Sequence, residues 1–335
     1  MILFLLLSEI LNTSFYESFK EIPIAMYKTG LNANNKRNSC LFQYYQENAQ
    51  DGYVARLSFP AGGGSRPSNA VGIESCEKIL YGTIISRMRM ADCSNQNKTG
   101  MVSSLFTYFN NGTDFSGVGI SDNSEIDFEF LCAKPHEVHI TVFTHYNDAG
   151  DKCSYMSRAV NMKTGIFSHN LYNDCKQYSN LEPSEQTPVS VAPIPDFEPH
   201  KKFYNYKIDW KPNRVIFSLF EDNQPEVVLW DYQYNSSRIP HIPAYILANL
   251  WHTNNWYPHG MSDCIQSPIY NVTSEYDFIQ YIPYTPPENP PGDDSKKDNG
   301  LIYYISGGVV IIIGGLVLFL LLKNDQEKYN PSLMV

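Results

Sequence analysis

The chain has 335 residues, a net charge of −10, and a composition of 43 % hydrophobic and 14 % aromatic residues. That is enough apolar material for one large domain or two smaller ones, and the negative charge excludes a nucleic-acid or anionic-membrane surface as the main face. The 24 tyrosines fit strands, or a surface that stacks on flat ligands.

In chain order, the apolar run Ile2 to Leu7 comes first, followed by more polar residues to Ser14. It is too short to span a bilayer and reads as a signal peptide over residues 1–14, although no basic residue precedes it. Strand-like segments then recur over 52–60, 82–91, 101–109, 125–131, 137–146, 203–209, 215–220, 244–251 and 276–282. "FYNYKIDWKPNRVIFSLFE" reads as a hairpin turning at Lys211-Pro212-Asn213-Arg214. Many short strands with Gly, Pro and Asn between them predict an all-β sandwich over residues 15–282. The glycines 62–64 precede no helix and carry no lysine, so they make no phosphate loop. Residues 179–200 hold five prolines and read as a long irregular loop, of the kind that is functional or disordered.

"PYTPPENPPGDDSKKDNG" (283–300) is a proline-rich, charged stalk. Residues 301–322 contain no charge and as a helix would reach roughly 33 Å, enough for a hydrocarbon core of ~30 Å. They are expected to form a single transmembrane helix, with 323–335 as a cytosolic tail that argues against a cleaved lipid-anchor signal. The expected arrangement is a single-pass type I membrane protein with its body at the cell surface or in the secretory lumen. Sequons at Asn97, Asn111, Asn235 and Asn271 agree with this; a further one at Asn12 falls in the signal. Seven cysteines lie between Cys40 and Cys264 without any CxxC pair, so disulfides are expected rather than a metal, at most three of them, with the pairing open.

The stretch "SEIDFEFLC" (124–132) carries the chemistry. A period of two puts Ile126, Phe128 and Phe130 on one face and Glu125, Asp127 and Glu129 on the other. A polar face meeting water is the plain explanation, yet such faces usually mix charge signs. Two carboxylates ~5.5 Å apart at an effective dielectric near 20 repel by roughly 3 kcal/mol, or about 2 pKa units, enough to keep one protonated. A protonated acid beside an ionised one is what glycosidic cleavage requires. Four extended residues separate the glutamate Cα atoms by ~13 Å, whereas retaining glycosidases hold their carboxyl groups ~5–5.5 Å apart, so the side chains must lean together. Spacing alone leaves catalysis and a solvated face both open.

"EIDFEFL" resembles the active-site strand of glycoside hydrolase family 16, with its Glu-x-Asp-x-Glu pattern. "YGTIISRMRM" (81–90) and "GMVSSLFTY" (100–108) resemble the two strands before it, and "VHITVFTHY" (138–146) the strand after it. "KIDWKPNRVIFSLFEDNQP" (207–225) is similar to the family's later hairpin, and "ANLWHTNNW" (248–256) to its tryptophan-bearing cleft strand. The similarity runs in order over about 80–285 and looks most like plant xyloglucan endotransglycosylases and fungal cell-wall transglycosylases.

The resemblance implies a concanavalin-like β-jelly-roll with a carbohydrate cleft on its concave sheet. It implies Glu125 as nucleophile, Glu129 as acid and base, Asp127 as the assisting carboxylate, and retention of configuration. The implied partner is a β-glucan-type polysaccharide, with no cofactor and no metal. Trp251 and Trp256 are candidate platforms for sugar rings, although tryptophan more often packs in a core. In "TVFTH", Thr141, Phe143 and His145 share a face, and His145 stands where the plant enzymes carry glutamine, so a sugar hydrogen bond is the candidate role beside that of a surface histidine. Tyr108 is a weaker candidate, and His136 and His139 carry no functional expectation. Cys132 stands where many relatives place glycine, and a bridge there would fix the end of the catalytic strand. Ala133 and Lys134 remove the glycosylation site that plant enzymes carry after this strand. Insertions at 110–123 and 165–200 put the substrate in question more than the chemistry. The competing functions are a lectin-like receptor on the same fold without turnover, and a structural surface protein.

Overall fold

The computed structural model describes residues 13–29, 39–63, 70–96, 98–110, 120–147, 152–173, 178–233, 238–256 and 265–286, with the dipeptides 304–305, 308–309, 312–313 and 316–317. In chain order the strands of the first unit are β1 (Phe15–Glu17), β2 (Met26–Thr29), β3 (Ser39–Tyr45), β4 (Tyr53–Phe59), β5 (Val71–Ser75) and β6 (Gly82–Arg89). There follow β7 (Met101–Asn110), β8 (Ile120–Leu131), β9 (Glu137–Asn147), β10 (Lys152–Asn161), β11 (Ile166–Asn173) and β12 (Tyr178–Asn180). The last are β13 (Tyr204–Lys211), β14 (Arg214–Phe220), β15 (Val227–Gln233), β16 (Tyr245–His252) and β17 (Val272–Pro283). The nine segments expected from alternation all lie on strands.

These strands form an all-β jelly-roll sandwich. One sheet has the order β15-β14-β13-β6-β17-β4-β3, with β1 added along β17. The other has the order β12-β11-β10-β9-β8-β7-β16-β5-β2, which puts β8 at its centre. The expected hairpin is β13–β14, with Lys211 paired to Arg214 across Pro212-Asn213.

Alternation fixes how the central strand sits. Ile126 and Phe128 have no solvent exposure and face the opposing sheet. The Phe128 ring meets Tyr206 and Phe217 edge-on at 5.5 and 5.2 Å, and Phe130 meets Tyr206 at 5.0 Å. Those edge-to-face contacts add to the area each ring buries and hold β8 to the β13–β14 hairpin. Because neighbours along a strand face opposite ways, burying these rings turns Glu125, Asp127 and Glu129 outward.

The segment expected as an irregular loop is ordered and strapped down. The Trp230 indole donates to the Glu185 carbonyl at 2.7 Å, and Arg238 reaches the Glu185 carboxylate at 2.6 Å. Asp231 N–H donates to the Thr187 carbonyl, and Arg158 donates to that of Pro188 at 2.9 Å. Arg158 is buried in the sandwich, its guanidinium 3.5 Å from the Phe167 ring centre and bonded to Asn170. Burial lowers its pKa to about 10. The strap thus supplies an acceptor that this inward-facing cation requires.

A disulfide joins Cys93 to Cys132, at the end of β8. Cys40 is buried and reduced, and Cys76 is exposed and reduced. Residues 285–334 form a second unit, in which Tyr304–Ile305 pairs with Gly308–Val309 and Ile312–Ile313 with Leu316–Val317. Among the described residues no helix is long and apolar enough to cross a membrane. The remainder of the expected 301–322 span, residues 1–12 of the signal, most of the stalk, and Asn97, Asn111 and Asn235 lie outside the described residues.

Candidate active site

β8 is hydrogen-bonded on both sides, and its register names the neighbours of each acid. Glu125 lies between Tyr108 on β7 and Phe143 on β9. Asp127 lies between Phe106 and Thr141, and Glu129 between Ser104 and His139. Directly paired residues share a face, so three acids and six flanking residues make one continuous floor. Glu125 and Asp127 are only 6 % and 3 % exposed, and Glu129 is half-buried. A polar face left to bulk water would be open; this one is recessed. Asn123, itself buried, donates to the Glu125 carboxylate at 3.2 Å, just past a bulge between Asp122 and Glu125. A bulge beside functional side chains re-aims the residues that follow it.

Next to β7 runs β16, which brings Asn249 and Trp251 to the same face. Ser104 Oγ donates to Asn249 Oδ1. Trp251 is half-buried and lies 6.5 Å from Trp256, with the planes at 44°. Trp256 is 6 % exposed and packs with Val102, Leu131 and Ile265. The chain reaches it by a close approach at Gly100, where an added Cβ would lie 1.9 Å from the Thr253 carbonyl oxygen.

Trp256 leads to a group that sequence reasoning passed over. Its indole N–H donates to His139 Nε2 at 3.3 Å, and the same nitrogen lies 2.8 Å from Glu137 Oε1. A neutral imidazole accepts the indole proton there; a protonated one turns its N–H to Glu137. Burial holds the His139 pKa below the ordinary histidine value, against the upward pull of Glu137. Burial works against ionisation of Glu137, but hydrogen bonds with His139 and Ser168 and the nearby Lys134 ammonium outweigh it and keep the carboxyl far down. Beside this group, Thr141 Oγ1, Ser157 Oγ and His169 Nε2 form a chain of 3.1 Å hydrogen bonds along the floor. The signal for His139 was present: the alternation that aligned Thr141, Phe143 and His145 includes it.

His145 sits at the rim, half-buried, its Nδ1 2.8 Å from Thr144 Oγ1. Its ladder partners are Asp122 and Cys153, which places it one step beyond Glu125. Tyr108 is half-buried directly across from Glu125. On the other side the row through Asp127 continues by Phe106, Leu247 and Glu74 to Tyr27. The Tyr27 hydroxyl donates to Glu74, whose pKa is raised by burial despite that bond. Three strand spacings, ~14 Å, separate Glu74 from Asp127, so it marks a far part of the same face.

A cavity of about 200 Å³ lies at the end of β8, lined by Phe130, Leu131, the Cys93–Cys132 bridge, His136 and His200 among others; none of the three acids lines it. Among the described residues no group of His, Cys, Asp or Glu comes together that could hold a metal ion.

A sequence model of glycosyl hydrolases family 16 matches residues 34–165 and 159–265. Among solved structures the chain is similar to the Bacillus licheniformis β-glucanase, at 20 % identity and a TM-score of 0.48 over 81 % of this chain and 98 % of that one. It is similar to the apo Crh5 transglycosylase at 15 % identity and a TM-score of 0.41, over 81 % and 92 % of the two chains. A third likeness is to the catalytic domain of an endo-1,3-β-glucanase (laminarinase) from Thermotoga petrophila RKU-1, at 15 % identity and a TM-score of 0.44 over 80 % and 95 %. No curated protein matches the sequence.

Proposed function

The chain belongs to family 16 of the glycosyl hydrolases, and from that premise we propose that it is a retaining glycosidase or transglycosylase acting on β-glucan-type polysaccharide. One observation carries the reading: Glu125, Asp127 and Glu129 stand together on a recessed floor flanked by aromatic side chains. In the first step the Glu129 carboxyl gives its proton to the glycosidic oxygen while the Glu125 carboxylate attacks the anomeric carbon, forming a glycosyl ester. In the second, Glu129 takes a proton from water or a sugar hydroxyl, whose oxygen displaces Glu125. Two inversions restore the starting configuration. Asp127, between them, orients Glu125. Water as acceptor gives hydrolysis, and a sugar hydroxyl gives transfer.

The test incubates the protein with unlabelled β-1,3-, β-1,4- and mixed-linkage glucans and a labelled oligosaccharide acceptor. Reducing ends, longer labelled products, or both are expected, and Glu125→Gln loses them. Glycan binding without any product would establish a lectin instead.

The same proposal extends to placement. The signal-like residues 1–14, the apolar stretch 301–322 and the sequons support a single-pass membrane protein with its body outside or lumenal. Asn271, the described sequon, is exposed, and its Oδ1 accepts the Ala61 N–H at 3.0 Å. Loss of mass on enzymatic removal of N-glycans, with the body protected from added protease in sealed vesicles, is the expected result.

A further inference from the structure

The register of the nine-stranded sheet lines up one row across the outward face. Reading from β16 to β12, it runs Tyr245, Tyr108, Glu125, Phe143, Tyr155, Asn173 and Tyr178. Five of the seven are aromatic, and Glu125 sits among them. On the β12 side the rings are in contact: Phe143 and Tyr155 have centroids 4.8 Å apart, and Tyr155 and Tyr178 6.5 Å apart. None of the three belongs to the sandwich core, whose β10 member here is the next residue, Met156. Exposure rises along the row, from 6 % at Phe143 through 8 % at Tyr155 to 56 % at Tyr178. Asn180, exposed and two residues on, shares the Tyr178 face and offers an amide beside it.

We propose that Phe143, Tyr155 and Tyr178 form an aromatic track that holds a β-glucan chain over several sugar rings on the β12 side of the acids. The inference rests on the reading of this face as glucan-cleaving, and adds where and how far the chain extends. Four strand spacings separate β8 from β12, ~19 Å, which is room for more than one or two rings. Sugar rings present flat C–H faces to aromatic side chains and hydroxyls to amides, and a row of both is what a linear polysaccharide fits. A small or branched ligand gains nothing from Tyr178. A long chain does.

The experiment measures binding by calorimetry to the full-length Glu125→Gln protein, using β-1,3- and β-1,4-linked oligosaccharides of increasing length from the disaccharide up. Affinity is expected to climb with length and then level off. Adding Tyr178→Ala removes the gain for the longest oligosaccharides, by roughly tenfold in Kd, and leaves the shortest unchanged. Tyr178→Phe restores it. Tyr178 is exposed, and matched thermal melts establish that the variants are folded. Equal weakening at every length, or none, overturns the track. Turnover by the unmutated protein is measured in parallel: length-dependent binding without turnover sinks the enzyme reading and leaves the track standing. Turnover without length dependence does the reverse. If no oligosaccharide binds, both fall.

Discussion

His139 lies directly across the β8–β9 ladder from Glu129, on the same outward face, with the Trp256 indole on its Nε2. The ring is buried and its pKa is pushed down by that burial, so it stays neutral in the folded protein where an unfolded histidine begins to charge. Between the unfolded value near 6.5 and the lower folded one, unfolding takes up a proton. The contribution is therefore present above about pH 6.5 and lost as pH falls through the folded value. Glu137, also depressed, acts in the same direction at lower pH. His139→Gln is expected to flatten the dependence of unfolding free energy on pH between about 7 and 5, by at most about 1.4 kcal/mol per pH unit. Urea unfolding across that range measures it; an unchanged slope shows that His139 charges as readily folded as unfolded.

The three acids make separable predictions. Glu129→Gln removes the proton donor and is expected to lower kcat by about 10²–10⁴-fold. Activated substrates, whose leaving group needs no proton, should lose far less in the ester-forming step. Glu125→Gln removes the attacking oxygen, so no covalent glycosyl adduct should appear by intact-protein mass spectrometry with a slow fluorinated substrate. An adduct that persists in Glu125→Gln and vanishes in Glu129→Gln would reverse the assignment.

The legible part of this fold was the part governed by alternation. β6, β7, β8, β9, β13, β14 and β16 each carry an apolar side that a period of two exposes, and the acids fall on the other side of β8 by the same rule. β10 was not legible because Arg158 takes an inward position between Met156 and Val160, which breaks the apolar period. What makes that position tolerable, Asn170 and the Pro188 carbonyl, is brought by segments whose pairing no local pattern announces. β1, β2 and β12 are three or four residues long and edge-bound, too short for periodicity. β5 is buried on both faces and does not alternate at all. The site followed the same division. His139 was readable by alternation and overlooked, whereas Glu74 and Tyr27 reach the face through pairings of β5 and β2 that only the folded sheet supplies.

The two tryptophans should behave differently. Trp256 is buried, with its indole bonded to His139, so Trp256→Ala should cost about 3–5 kcal/mol of stability, as for other buried aromatic truncations. Trp251 is half-buried on the floor beside it. Trp251→Ala should lose less stability and instead raise KM for long glucans. Thermal melts paired with steady-state kinetics separate the effects, and a Trp256→Ala protein that melts like the unmutated one would place Trp256 among the binding groups instead.

The Cys93–Cys132 bridge ties the end of β8 to the segment after β6, closing a loop with a sequence separation of 39. In the chain-entropy account a loop of that size contributes about 4 kcal/mol, by restricting the unfolded chain. The replacement Cys93→Ser with Cys132→Ser should lower the urea midpoint accordingly. Its effect on activity should be much smaller, because Phe128 and Phe130 hold β8 against Tyr206 without the bridge. Two readings taken on one sample decide this. A midpoint lowered with kcat nearly kept assigns the bridge to the unfolded state. A midpoint kept with kcat lost would mean that it sets the position of Glu129, three residues upstream of Cys132.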